Sequence, residues 1–105
     1  MTKYFDNFDE KKAKLAIILV NWNGTRDTIN CINSISKSSF KNYKIIVVDN
    51  GSEESELKEL VDCRFPIDLI KTGENLGYTG GNNVGIRHAI DQKADYLLLL
   101  NNDTL

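Results

Sequence analysis

Leu15-Ala16-Ile17-Ile18-Leu19-Val20, running straight into Asn21-Trp22-Asn23-Gly24, is the stretch that decides the fold. Six consecutive apolar residues without period-2 alternation suit a strand buried on both faces, the situation found in parallel sheets. The same phrase recurs twice. Tyr43–Val48 (YKIIVV) leads into Asp49-Asn50-Gly51-Ser52, and Tyr96–Leu100 (YLLLL) into Asn101-Asn102-Asp103. A weaker run, Pro66–Ile70, lies between them. Helical patterns fill the gaps. Thr25–Ser36 spaces Ile29, Ile32 and Ile35 on one face, with Thr25 or Asp27 placed to cap it. Ser52 precedes Glu53 and Glu54 as an N-cap followed by acids, with Leu57, Leu60 and Val61 as the inner stripe. Gly81–Gln92 offers Ile86, Ala89 and Ile90. Strand and helix therefore alternate from β to β, which predicts an α/β fold: an open, mainly parallel sheet with right-handed crossovers and helices on both faces.

The 105 residues allow one domain. A hydrophobic share of 41% with 27% charged residues places the chain among globular proteins. Thirteen basic against fifteen acidic residues give a net charge of −2 and a pI near 5.3, arguing against a nucleic-acid partner. No apolar run approaches the ~20 residues of a membrane span. Residues 1–14 form a polar leader without the apolar stretch of a signal peptide. Cys31 and Cys63 make no metal spacing and read as free thiols of a reducing, cytoplasmic compartment. The chain ends just after its most apolar strand, leaving that strand's far side bare. This predicts the N-terminal half of something longer, with self-association through the exposed strand.

Ligands of open α/β sheets bind outside the carboxyl ends of the strands, where strand order reverses. Three polar clusters collect at those ends. Asp49 suits a base imide or ribose hydroxyl, and equally a turn and helix cap. Trp22 is placed to stack on a base or to pack in the core. Asp103 offers one carboxylate to a hard cation bridging phosphates, or a helix cap. In Gly73–Gly85, Gly80-Gly81 ahead of a helix would let backbone amides approach an anion or sugar, the alternative being a flexible linker. Neither GxxxxGK[ST] nor GxGxxG is present, and the first βα turn reads NWNGT, so a dinucleotide oxidoreductase is disfavoured. His88, the single histidine, reads as helix packing, and Glu53–Asp62 as a solvated helix face.

VNWNG, VVDNGS, ENLGYTGGNNVGI and LLLLNND, in this order, resemble the nucleotide-binding half of family 2 inverting glycosyltransferases of GT-A fold, in a rhamnosyltransferase-like form. The resemblance covers residues 15–105 and stops after the DxD-type motif. It implies that Val20, Asn21 and Trp22 embrace the nucleobase and Asp49 reads it. Gly77, Gly81, Asn82 and Asn83 would line the nucleotide, Asn102 would lie near the ribose, and Asp103 would hold Mg2+ or Mn2+. The implied donor is a nucleoside-diphosphate sugar, dTDP- or UDP-linked, and the implied acceptor a glycan or lipid-linked glycan at the inner face of the membrane. Asn101 and Asn102 stand where acids are common, which implies weaker metal binding. The general base of such enzymes lies beyond residue 105, so no catalytic residue is expected here and the fragment alone is expected to be inactive. The competing expectation is a non-catalytic α/β nucleotide-binding or regulatory module in which Asp49 and Asp103 only cap helices.

Overall fold

The computed structural model describes residues 14–102, so most of the leader and Asp103 lie outside the described residues. Four strands and three helices alternate: β1 Leu15–Asn21, α1 Thr25–Ser36, β2 Tyr43–Asp49, α2 Glu54–Val61, β3 Asp68–Lys71, α3 Gly77–Asp91 and β4 Tyr96–Leu99. All pairings are parallel and the sheet order is β3-β2-β1-β4. The chain steps outward from β1 to β3, then returns across the sheet to place β4 on the other side of β1. With right-handed crossovers, this reversal puts α3 on the opposite face from α1 and α2.

The core divides accordingly. Leu19, Ile45 and Val47 pack with Cys31, Ile32 and Leu60 of α1 and α2. The intervening residues Ala16, Ile18, Ile46 and Val48 turn to the other face and meet Ala89 of α3. β1 and β2 are thus buried on both sides, as their unbroken apolar runs predict. β4 is the exception. Its residues Tyr96, Leu97, Leu98 and Leu99 are 42–51% exposed, because only β1 flanks it.

Both central strands run one residue further than their apolar stretches, so Asn21 and Asp49 are paired strand residues and not turn residues. Two helix faces differ from the expected stripes. Val61 and Ile90 are exposed, at 55% and 61%. α3 instead buries Gly81, Asn82, Gly85 and Ala89. A Cβ on Gly85 would stand 2.5 Å from Ile18 Cγ2, and one on Gly81 would stand 2.9 Å from Val20 Cγ1. The helix lies so close to β1 that glycine is needed at the contact, while Val84 and Ile86 pack partly buried beside it and Ile90 turns outward.

Candidate functional site at the carboxyl edge

The point where strand order reverses lies between β1 and β4, and the sequence-predicted polar clusters meet there. Asn21 and Asp49 are register partners on the face covered by α1 and α2, and both are buried, at 0% and 2% exposure. Asn21 Nδ2 donates to Asp49 Oδ1 at 3.0 Å and to Thr25 Oγ1 at 3.1 Å. The Thr28 hydroxyl donates to Asn21 Oδ1 at 2.7 Å and accepts from Asn102 Nδ2 at 3.1 Å. Thr25 passes its own proton to the carbonyl of Glu56 at 3.0 Å. Ser52 donates its hydroxyl to Asp49 Oδ1 at 2.6 Å and its amide to Asp49 Oδ2 at 3.1 Å. The ends of β1 and β2, the start of α1 and the residues after β4 are therefore joined by one buried network. Each donor in it has an acceptor, as burial requires. Among the described residues no buried side-chain nitrogen or oxygen lacks a partner.

Local chemistry explains the placement. Asn23 adopts φ +50, a left-handed conformation that asparagine tolerates, and its Oδ1 accepts the amide of Glu53 at 2.8 Å. That same turn brings the Asn23 amide to Ser52 Oγ at 2.9 Å. Three capping expectations are overturned by these bonds. Gly24 precedes α1 and Glu53 precedes α2, neither helix having a side-chain cap, because Thr25 and Ser52 are committed to the network and Asp27 is exposed.

Asn50 holds the opposite wall. Fully buried, it donates to the carbonyl of Gly77 at 2.9 Å and to Asn75 Oδ1 at 3.2 Å. Its own Oδ1 accepts the amide of Leu76 at 3.1 Å. This fastens the loop before α3, which begins at Gly77, four residues ahead of the expected start. Gly80-Gly81 therefore lies within the helix, and Gly81 packs closely on Val20. Asn82 is buried beside it at 5% exposure, while Asn83 and Gly77 face solvent. Trp22 is 54% exposed, which removes it from the core and leaves an aromatic surface at the edge.

Asp103 follows Asn102 in sequence and lies outside the described residues; among those described, no group of three or more His, Cys, Asp or Glu side chains could hold a metal. His88 sits part-buried on α3, with Nε2 2.8 Å from Asp68 Oδ2. That hydrogen bond, aided by Lys44 at 3.3 Å, holds the Asp68 carboxyl below its ordinary range. Burial pushes the Cys31 thiol up. A depression of about 290 Å³ lined by Lys14, Ala16, Tyr43, Lys44, Ala89 and Gln92 lies at the opposite, amino-terminal edge of the sheet, away from this network.

Residues 16–105 match the family described as Glycosyl transferase family 2. The chain belongs to that family. Over 90 residues it is 39% identical to the low-salt glycan biosynthesis hexosyltransferase Agl10 of Haloferax volcanii, covering 85% of this chain and 27% of that protein. An uncharacterized glycosyltransferase of Haemophilus influenzae is 30% identical over 89 residues, 85% of this chain and 29% of that one. Among solved structures, the S. aureus TarS fragment 1–349 superposes with a TM-score of 0.71 at 22% identity, covering 86% of this chain and 27% of that one. A mannosyltransferase from Pyrobaculum calidifontis, in complex with GDP-Man and Mn2+, gives 0.73 at 16% identity, covering 90% and 29%. These structures share the fold, the α/β arrangement of GT-A glycosyltransferases. The chain spans a little over a quarter of the length of these relatives.

The sequence singled out most of the site but passed over Thr28, Asn50 and the packing role of Gly85. Thr25 and Thr28 extend the Ile32–Ile35 face of α1 by whole helical steps, and that phase was the available signal. Nothing local marks Asn50, since its side-chain partners lie 22–27 residues further along.

Proposed function

We propose that this chain is the donor-binding part of a glycosyltransferase and holds a nucleoside-diphosphate sugar at the carboxyl edge between β1 and β4. The observation that carries this reading is the single buried network joining Asn21, Asp49 and Asn102 at the reversal of strand order. Trp22 supplies an exposed face for the nucleobase, flanked by Val20 and Asn21. Asp49 Oδ2 accepts one protein hydrogen bond and retains acceptor capacity for the nucleoside. The loop at Gly77 with Asn82 and Asn83 lines the nucleotide, and Gly81 contributes by letting α3 approach. Asn102 is placed for the ribose.

A magnesium or manganese ion commonly takes one or two protein carboxylates together with substrate phosphate oxygens. Asp103 next to the carboxamides of Asn101 and Asn102 fits that donor set, and Asn102 is anchored at the edge where the phosphates would lie. Such an ion, when bound, offsets charge on the leaving diphosphate. In the whole protein the sugar passes to a glycan or lipid-linked acceptor by one in-line displacement. Its general base comes from outside this chain, which alone turns over no donor. The free thiols fit a cytoplasmic setting, and among the described residues no helix is long and apolar enough to cross a membrane. The exposed β4 edge should lead this chain to self-associate, and light scattering would read this as mass above the monomer.

Calorimetric titration with dTDP, UDP, GDP and NAD, each with and without Mn2+, tests the donor site. Metal-dependent binding of one nucleoside diphosphate is expected, with dTDP or UDP favoured. Asp103→Ala should abolish the metal dependence. Binding of NAD in preference, or a metal response that survives in Asp103→Ala, would refute the assignment.

A further inference from the structure

We propose that Thr28 is a positioning residue: its hydroxyl seats Asn102, and with it the turn after β4, in register with Asn21 and Asp49. The inference rests on the donor-site reading. A threonine hydroxyl has one proton to give and can accept in return. Here the proton goes to Asn21 Oδ1 at 2.7 Å and the oxygen takes Asn102 Nδ2 at 3.1 Å. The contact joins residues 74 apart in sequence, and Thr28 is fully buried. Space for the carboxamide comes from the preceding turn of the helix. A Cβ on Gly24 would stand 3.1 Å from Asn102 Nδ2, and the Gly24 carbonyl accepts the Thr28 amide at 3.0 Å. Gly24, the residue before α1, and Thr28, one turn further on, therefore form a seat for Asn102 after the edge strand.

The seat matters because β4 has few other constraints. It pairs with β1 alone, from Tyr96 to Leu99, and its side chains are nearly half exposed. Leu100 adds one backbone bond to Ile18 at 3.0 Å and packs its side chain against the core on the α1 and α2 face. Beyond Leu100, the Thr28 hydroxyl fixes where the chain runs at Asn102. Pre-setting this turn spares the ligand the cost of ordering it.

The test compares nucleoside-diphosphate affinity in Mn2+ for the unmodified chain, Thr28→Val, Thr28→Ser, Asn102→Ala and the Thr28→Val/Asn102→Ala double variant. Thermal melts and the side-chain amide signals of Asn102 in 15N-resolved NMR are recorded for each. Thr28→Val should weaken binding about tenfold, the scale of one lost hydrogen bond to a buried group. Thr28→Ser should restore binding. If Thr28 acts through Asn102, the double variant binds no more weakly than Asn102→Ala alone, the non-additivity expected of coupled residues. A purely structural threonine would lower the melting temperature in Thr28→Val without moving the Asn102 amide signals or the affinity, and that result overturns the proposal. Additive losses overturn it equally. If the unmodified chain binds no nucleotide at all, the donor-site reading fails on its own. The seat is then judged by NMR: Asn102 signals moving to free-amide positions in Thr28→Val uphold it, and unchanged signals refute it.

Discussion

Replacement of Gly85 by alanine tests whether the close approach of α3 to β1 organises the sheet. Two effects oppose one another. Glycine to alanine in a helix interior gains about 1 kcal/mol of intrinsic helix stability. Against it, the new methyl would lie 2.5 Å from Ile18 Cγ2 and 3.2 Å from Val48 Cγ2. Ordinary carbon contacts are about 3.5–4.0 Å, so helix and sheet must part by roughly 1 Å. Ile18 and Val48 are both fully buried, and Ile18 is one of the β1 residues flanked by both β2 and β4. Neither side chain has a free direction in which to turn. Overpacking of this kind costs about 1–3 kcal/mol, and the absence of slack places Gly85→Ala at the upper end. The net expectation is a loss of about 1–2 kcal/mol. For a domain of this size each kilocalorie lowers the melting temperature by about 4–8 °C. The exposed Asn83, on the same helix, supplies the control: Asn83→Ala takes the helix-propensity gain without the clash and should stabilise by a few tenths of a kcal/mol. Melts followed by circular dichroism and urea titrations compare the three proteins. If Gly85→Ala is as stable as the unmodified chain, or gains stability like Asn83→Ala, the packing argument is wrong.

Two further outcomes follow from single contacts. Gly51 and Gly73 both adopt left-handed backbone, φ +83 and +81, but a Cβ on Gly51 would meet the Glu74 carbonyl carbon at 2.8 Å, whereas one on Gly73 meets nothing within 4 Å. Gly73→Ala should cost about 1 kcal/mol from backbone strain alone and Gly51→Ala at least twice that, so equal costs by urea denaturation would refute the contact. Asp68 has its carboxyl pKa lowered, first by the His88 hydrogen bond and then by Lys44, from an unfolded value near 3.8. Its contribution is therefore complete above pH 3.8 and lost as pH falls through the lower folded value. Asp68→Asn should flatten the acid limb of the stability profile in that window, and an unchanged acid limb would show that the pair contributes nothing.

The alternation of unbroken apolar runs with amphipathic stretches was enough to determine the element order, the parallel sheet and the edge at which the polar clusters collect. Those properties follow from local chemistry: a strand buried on both faces must be apolar at every position, and parallel strands put all their carboxyl ends on one side. The motifs VNWNG, VVDNGS, ENLGYTGGNNVGI and LLLLNND, met in that order, were equally sufficient to identify the family.

Tertiary structure decided what each of those residues touches. Ser52 reads as a helix cap because three acids follow it within four residues. In the fold its hydroxyl is closer to Asp49 Oδ1, at 2.6 Å, and the cap is given up. Ile90 reads as core because it lies one helical turn from Ile86, yet α3 meets the sheet through Gly81, Gly85 and Ala89 and leaves Ile90 exposed. Thr28 gains its role only in the fold, since its two side-chain partners sit 7 and 74 residues away. Sequence patterns report whether a face is apolar and where a turn begins. Which polar groups share a proton depends on distances between strand ends, and these exist only once the crossovers have returned β4 to the side of β1.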